Sequence, residues 1–242
     1  MKVMLDTQKA LKSPVSDQYR NNYDRVFRKP SVAFATKCWA GDFHKFLAGE
    51  FDRKADSCQY PFDEKWLMLN NEVPEGAFKD FKGKTIDVLK EQAETLEFFD
   101  LTESDFKTDK GNGYWYSIAE LTAIRLAEGF DYLCWVQSDC IIEPASDWIT
   151  RGIEILEENP LISIISPGSK VNTYGEIDAE CSDQAFLIRV PEFRKRIYNY
   201  TEPNQDNYPS YGGQSFEYKV GQYLKNTGQR RMILYEHNLE HK

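Results

Sequence analysis

A carboxylate at the end of a buried strand is the first residue in this sequence whose setting suggests chemistry. In the stretch Asp131 to Ile142 the apolar run Tyr132-Leu133-Cys134-Trp135-Val136 breaks at Gln137-Ser138-Asp139 and resumes at Ile141. Aromatic and branched residues in such a run favour a pleated, buried strand. Asp139 then stands at a strand's carboxyl end, where open α/β sheets bind their ligands; the alternative is an Asp that starts a turn. Two more acids sit at element boundaries. Asp183 opens an apolar segment, and Glu217 lies in the first turn of an amphipathic helix, where the helix dipole favours its charge. His237 and His241 follow the last apolar run, as metal ligands or as solvated surface residues. Tyr198, Tyr200, Tyr208, Tyr211 and Trp115 offer stacking faces for a sugar or a base, or else packing over a small satellite core.

Composition narrows the function classes. The 242 residues suffice for one large α/β domain, and 14% aromatic content marks a globular chain with a substantial core. A net charge of −9 disfavours non-specific binding to polyanions, which needs Lys and Arg against phosphates. The basic candidates are Arg194-Lys195-Arg196 and Arg230-Arg231. Five cysteines without C-x-x-C spacing argue against a disulfide framework or a zinc knuckle, and Cys134 reads as a buried thiol. No apolar run approaches the roughly 20 residues of a membrane span, and Met1 to Leu11 is too polar for a signal peptide. A soluble, cytoplasmic protein is expected.

The elements that must position these residues alternate between strand and helix patterns. Residues 1–30 read as an arm or helix. Strands are expected at Ser31–Trp39, Lys65–Leu69, Tyr132–Val136, Leu161–Ile165, Asp183–Val190 and Arg231–Glu236. Thr85–Leu89 fits a strand or a helix start, and Leu96–Phe99 a further short strand. Gly111-Asn112-Gly113 reads as a turn, with a helix through Ile118, Leu121 and Ile124 capped by Ser117 and stopped by Gly129. Ser146 caps a helix bearing Ile149, Ile153 and Leu156; Ser215 caps one bearing Phe216, Val220, Tyr223 and Leu224, ended by Gly228. Such alternation implies a single α/β domain with a mostly parallel central sheet flanked by helices.

The order of these features resembles the GT-A glycosyltransferases, Rossmann-like enzymes that use nucleotide sugars. The resemblance runs over residues 31–242. Ala33 to Lys37 looks like their first strand, which implies nucleotide contacts at Ala35, Thr36 and Lys37. Gln137-Ser138-Asp139 looks like their D-x-D motif with its first acid replaced, and Phe216-Glu217 like their acidic pair, again with its first acid replaced. The resemblance implies sugar transfer from a nucleotide-sugar donor to an acceptor hydroxyl, on a glycan, a protein, a small molecule or a modified nucleic-acid base. It further implies a divalent cation, Mn²⁺ or Mg²⁺, held by Asp139 with His237 or His241. Glu217 is then the base, with Asp183 second to it, and Gln137 a hydrogen-bond partner for the ribose. The two replaced acids keep a non-catalytic nucleotide-sugar or glycan binding module as the alternative. A nucleotidyltransferase would need a glycine-rich basic loop after the first strand, and Cys38-Trp39-Ala40-Gly41-Asp42 does not supply one.

Overall fold

The computed structural model describes residues 28–39, 41–70, 77–102, 112–169, 177–178, 181–193 and 216–241. Residues 31–242 form one compact unit, and the segment read as an amino-terminal arm lies almost wholly outside the described residues. The elements in chain order are β1 (Val32–Cys38), α1 (Phe51–Ser57), β2 (Glu64–Leu69), β3 (Lys84–Asp87), α2 (Val88–Phe98) and α3 (Asn112–Leu126). Then come β4 (Tyr132–Val136), β5 (Cys140–Ile142), α4 (Trp148–Glu158), β6 (Ile162–Ser169), β7 (Ile177–Asp178), β8 (Ala185–Arg189), α5 (Val190–Phe193), α6 (Phe216–Thr227) and β9 (Arg230–His241). A short helical turn, Phe43–Lys45, and a π-helical turn, Phe46–Glu50, lead into α1.

Eight strands form one sheet in the order β3-β2-β1-β4-β8-β6-β9-β5, with β7 paired to β9. The first four are mutually parallel. Strand β8 runs antiparallel between β4 and β6, so the sheet is mixed beyond β4. Every residue of β1 and of β4 is buried, which is why both read as unbroken apolar runs: helices cover both faces. On one face Ala33, Ala35, Leu133, Trp135 and Phe186 pack with Ile118, Leu121 and Ile124 of α3 and Val220 and Leu224 of α6. On the other, Phe34, Cys134 and Leu187 pack with Phe51 of α1 and Ile149, Ile153 and Leu156 of α4. Burying such a side chain stabilises by about 1.5–3 kcal/mol.

Helix α4 approaches the sheet through Gly152. A Cβ there would stand 2.9 Å from Leu187 Cδ2 and 3.3 Å from Ile165 Cγ2, both on buried strands that have little room to yield. Gly152→Ala gains up to about 1 kcal/mol of helix propensity but overpacks the interface by about 1–3 kcal/mol. A net loss of stability is expected in urea unfolding, larger for Gly152→Val. A variant as stable as the parent would show that α4 can lift without cost.

Several local expectations change. Leu96–Phe98 belongs to α2, whose start is capped by Asp87 accepting from the Lys90 N–H at 3.3 Å; a short apolar run cannot separate strand from helix. Asn112 and Gly113 lie inside α3, so Ser117 is an interior residue and not its cap. Ser146 caps nothing: α4 starts after Asp147, and the Ser146 hydroxyl is buried without a partner. Strand β8 stops at Arg189 because Val190-Pro191 opens α5, where a proline fits the first turn. Strand β9 continues to His241, well past Glu236. Gly228 ends α6 at φ 73°, the left-handed backbone a helix terminus asks of glycine.

Candidate functional site

The chain leaves β1 for β2 on one side and returns through β4 on the other, all parallel, so the strand order reverses between β1 and β4. Loops diverge at such a point and open a crevice at the strands' carboxyl ends. Lys37 is the penultimate residue of β1 there and Gln137 follows β4. Because β8 is antiparallel, its amino end meets the same place: Val136 pairs with Ala185, and the Gln137 N–H donates to Gln184 O at 2.7 Å.

Strand alternation puts Lys37 and Gln137 on the face covered by α3 and α6, in step with Ala35 and Trp135. There α3 presents Glu120, fully buried. Lys37 Nζ donates to Glu120 Oε1 at 3.2 Å, with 2% and 0% of the two side chains exposed. Gln137 Nε2 donates to the same oxygen at 3.3 Å and to Asp183 Oδ2 at 3.0 Å. The Asp183 N–H in turn donates to Glu217 Oε1 at 2.8 Å. A connected row thus runs from β1 through α3, β4 and the start of β8 to α6. Burial, reinforced by Asp183 and opposed by Lys37, pushes the Glu120 carboxyl up to about 7. Burial, then Asp183, push Glu217 up to about 8, with Glu120 adding to it. Acids this close resist ionising together, so protons are held in the row near neutral pH.

The acid row owes its geometry to α6. Phe216 stacks on Phe186 of β8 at 5.4 Å between ring centroids, and Phe186 on Trp135 of β4 at 6.1 Å. The Phe216 N–H donates to the Ser117 hydroxyl at 2.7 Å, so Ser117 ties down the start of α6 rather than of α3. Phe216 therefore serves as the wedge that seats Glu217, which accounts for an aromatic ring where an acid was expected.

Asp139 lies exposed in the turn after β4, where the Cys140 thiol donates to its Oδ1 at 3.4 Å. Ser138 beside it is half-buried. Lys54 of α1 is fixed close by: its ammonium donates to the Cys140 carbonyl and pairs with Glu50 at 3.4 Å. Burial pulls that ammonium below its ordinary range, against the opposing pull of Glu50 and Asp139. Among the histidines, the ladder sets His241 opposite Cys140, next to Asp139. His237 comes four positions earlier, beyond the Asn238–Glu143 pairing, about 13 Å along the strand. It is buried, and its Nδ1 has no partner. Among the described residues no three His, Cys, Asp or Glu side chains gather to hold a metal ion.

The structure thus brings Lys37, Gln137, Asp183 and Glu217 together, with Asp139 exposed in the turn two residues after Gln137. It also buries Ala35, Thr36 and Lys37, with the Thr36 hydroxyl turned to the opposite face and unpartnered. The tyrosine-rich loop and Ser215 lie outside the described residues, as does the side chain of Trp115. Glu120, Lys54 and the role of Ser117 were not found from sequence. Glu120 did leave a signal, since it is an acid set within Ile118-Ala119-Leu121-Ala123-Ile124, a segment apolar on every side.

No family model matches this sequence, and no curated protein does. Solved structures do resemble the fold. One, described as a mycobacterial protein, matches with a TM-score of 0.52 at 9% identity over 90% of this chain and 69% of its own. Two others are of glucosyl-3-phosphoglycerate synthase from Mycobacterium tuberculosis with Mn²⁺ and uridine diphosphate, one also holding glucosyl-3-phosphoglycerate and one phosphoglyceric acid. Both have a TM-score of 0.49, at 11% and 10% identity, over 92% of this chain and 75% and 74% of theirs. Among the described residues no helix is long and apolar enough to cross a membrane. With four parallel strands and the reversal at β8, the chain has a mixed α/β fold like that of the mycobacterial protein.

Proposed function

We propose that this chain is a glycosyltransferase that moves a sugar from a nucleotide-sugar donor to an acceptor hydroxyl. The observation that supports this reading best is the Gln137–Asp183–Glu217 row at the carboxyl ends of the sheet, beside the reversal between β1 and β4. In the reaction the acceptor oxygen forms the bond to the sugar's anomeric carbon while the bond from that carbon to the diphosphate oxygen breaks. The hydroxyl proton passes to Glu217, and the nucleoside diphosphate leaves. Glu217 suits this task because its proton comes off near the working pH, where a base is both free and strong. Burial sets that property first and the Asp183 charge adds to it, while Gln137 holds Asp183 in place.

The resemblance of the sequence to GT-A enzymes implies a divalent cation. The exposed Asp139 carboxylate fits one, and the ladder brings His241 next to it; these two residues would hold the ion. When bound, it would neutralise charge on the departing diphosphate. Gln137 is a neutral amide and adds no charge there, and its Nε2 is engaged with Glu120 and Asp183. That engagement also favours a second reading, a nucleotide-sugar binding module without catalysis.

Thermal shift against UDP-, GDP-, CMP- and TDP-sugars with Mn²⁺ tests both readings, because a ligand bound only by the native state raises the melting temperature. One nucleotide is expected to give a saturable shift that Asp139→Ala removes, with slow donor hydrolysis alongside. A shift without hydrolysis or transfer supports the binding module. No shift with any donor sinks both.

A further inference from the structure

The Gln137 side chain spends both of its amide hydrogens on acids. Nε2 donates to Glu120 Oε1 at 3.3 Å and to Asp183 Oδ2 at 3.0 Å. An amide nitrogen carries two N–H donors, so none is left over. The backbone is held as well: the Gln137 N–H donates to Gln184 O at 2.7 Å, and its carbonyl accepts from the Cys140 N–H at 3.1 Å. A carboxylate at 137 could make neither side-chain bond and would set a third negative charge between two others. The two acids need a neutral double donor between them.

The two acids are held very differently. Asp183 is half-buried and precedes β8, whose ladder with β4 begins only at Ala185. Glu120 lies inside α3, fully buried, with the buried Lys37 ammonium on the same oxygen at 3.2 Å. Helix α3 is tied in turn to α2, the Thr122 and Thr95 hydroxyls meeting at 3.1 Å in the core. Glu120 is thus the fixed end of the bridge and Asp183 the end that is placed by it. A buried polar network whose members are satisfied in this way rigidifies what it connects.

We propose that Glu120 is a positioning residue: through the Gln137 amide it fixes Asp183 at the entry to β8 and, by way of the Asp183 N–H, the carboxylate of Glu217. Lys37 is the counter-ion that lets an acid stand at this depth. The effect on sugar transfer rests on the transferase reading; the anchor itself does not.

The test uses the whole chain carrying Lys37→Met with Glu120→Leu, which removes the anchor and leaves an apolar pair in the core. Its urea midpoint is expected close to the parent's. Its kcat should nevertheless fall at least about tenfold, the scale of a lost charge-assisted hydrogen bond, with KM for the donor little changed. Adding Gln137→Met should cost little more, because both changes act through one amide. Glu120→Gln, which keeps an oxygen toward Gln137, should retain most of kcat. The amide also reports the anchor directly by NMR: both Gln137 Nε2 protons should exchange slowly with solvent in the parent and faster in the double variant. Should the double variant fail to fold, Gln137→Met carries the kinetic comparison and the parent's amide protons the structural one. A folded double variant with parental kcat overturns the positioning role, as does an additive loss from Gln137→Met. Amide protons that exchange freely in the parent overturn the anchor whether or not sugar is transferred. If those protons are protected but the parent moves no sugar, the anchor stands and the transferase reading alone fails.

Discussion

Glu217→Gln is expected to lower kcat for sugar transfer by about 10²–10⁴-fold, the usual contribution of a positioned base. Donor binding should change little. The amide keeps an oxygen where Glu217 Oε1 accepts the Asp183 N–H, so the packing of α6 survives while the proton acceptor is lost. The pH profile gives a sharper check. Glu217 accepts a proton only when ionised, and its carboxyl is pushed up to about 8, so the rate should climb as pH rises and level off above about 8. Asp183 is the strongest neighbouring charge raising Glu217. Asp183→Asn removes that charge, and the rising limb should move to lower pH. A Glu217→Gln variant with parental kcat, or a limb unmoved in Asp183→Asn, would sink the assignment of the base.

The second large effect concerns stability. Lys37→Met leaves Glu120 buried without its cation, and breaking one side of a buried pair costs about 3–5 kcal/mol. The cost should depend on pH. Glu120 is pushed up from its ordinary 4.5 to about 7, so in the folded chain it holds its proton where the unfolded chain has lost it. Its contribution is fully present below about 4.5 and is lost as pH rises through about 7. Below that window the carboxyl is neutral and hardly misses Lys37; above it the ionised carboxylate does. Urea unfolding is therefore expected to show a small loss for Lys37→Met near pH 5 and the full loss near pH 8. Adding Glu120→Leu should restore most of it, since an apolar pair can replace a buried ionic one. Equal losses at both pH values would show that Lys37 acts by packing alone.

Much of the frame was legible in the sequence. The run Tyr132–Val136 with its break at Asp139, the face of Ile149, Ile153 and Leu156, and the stop at Gly228 all rest on local physics: periodicity, burial of apolar runs, and the backbone freedom of glycine. Hence strand β4, helix α4 and the end of α6 stand where the residues indicate. The exposed Asp139 was reachable in the same way, because a carboxylate closing a buried run has to leave the core.

The acid row was not legible. Its bonds span 83 residues from Lys37 to Glu120, 46 from Gln137 to Asp183 and 34 from Asp183 to Glu217. A lysine near the end of an apolar strand and a glutamate in a helix each look like surface residues, since both are rarely buried unless paired. Only the strand order, with β8 inserted against β4, determines that they meet. The histidines show the same limit. Both lie past the last apolar run, and it is the register of β9 on β5 that sets His241, rather than His237, opposite Cys140. Sequence determined the strands, the helical faces and the exposed acid, because these depend on neighbours along the chain. Tertiary structure decided which charged groups meet, because that depends on distances the chain closes only when the sheet is assembled.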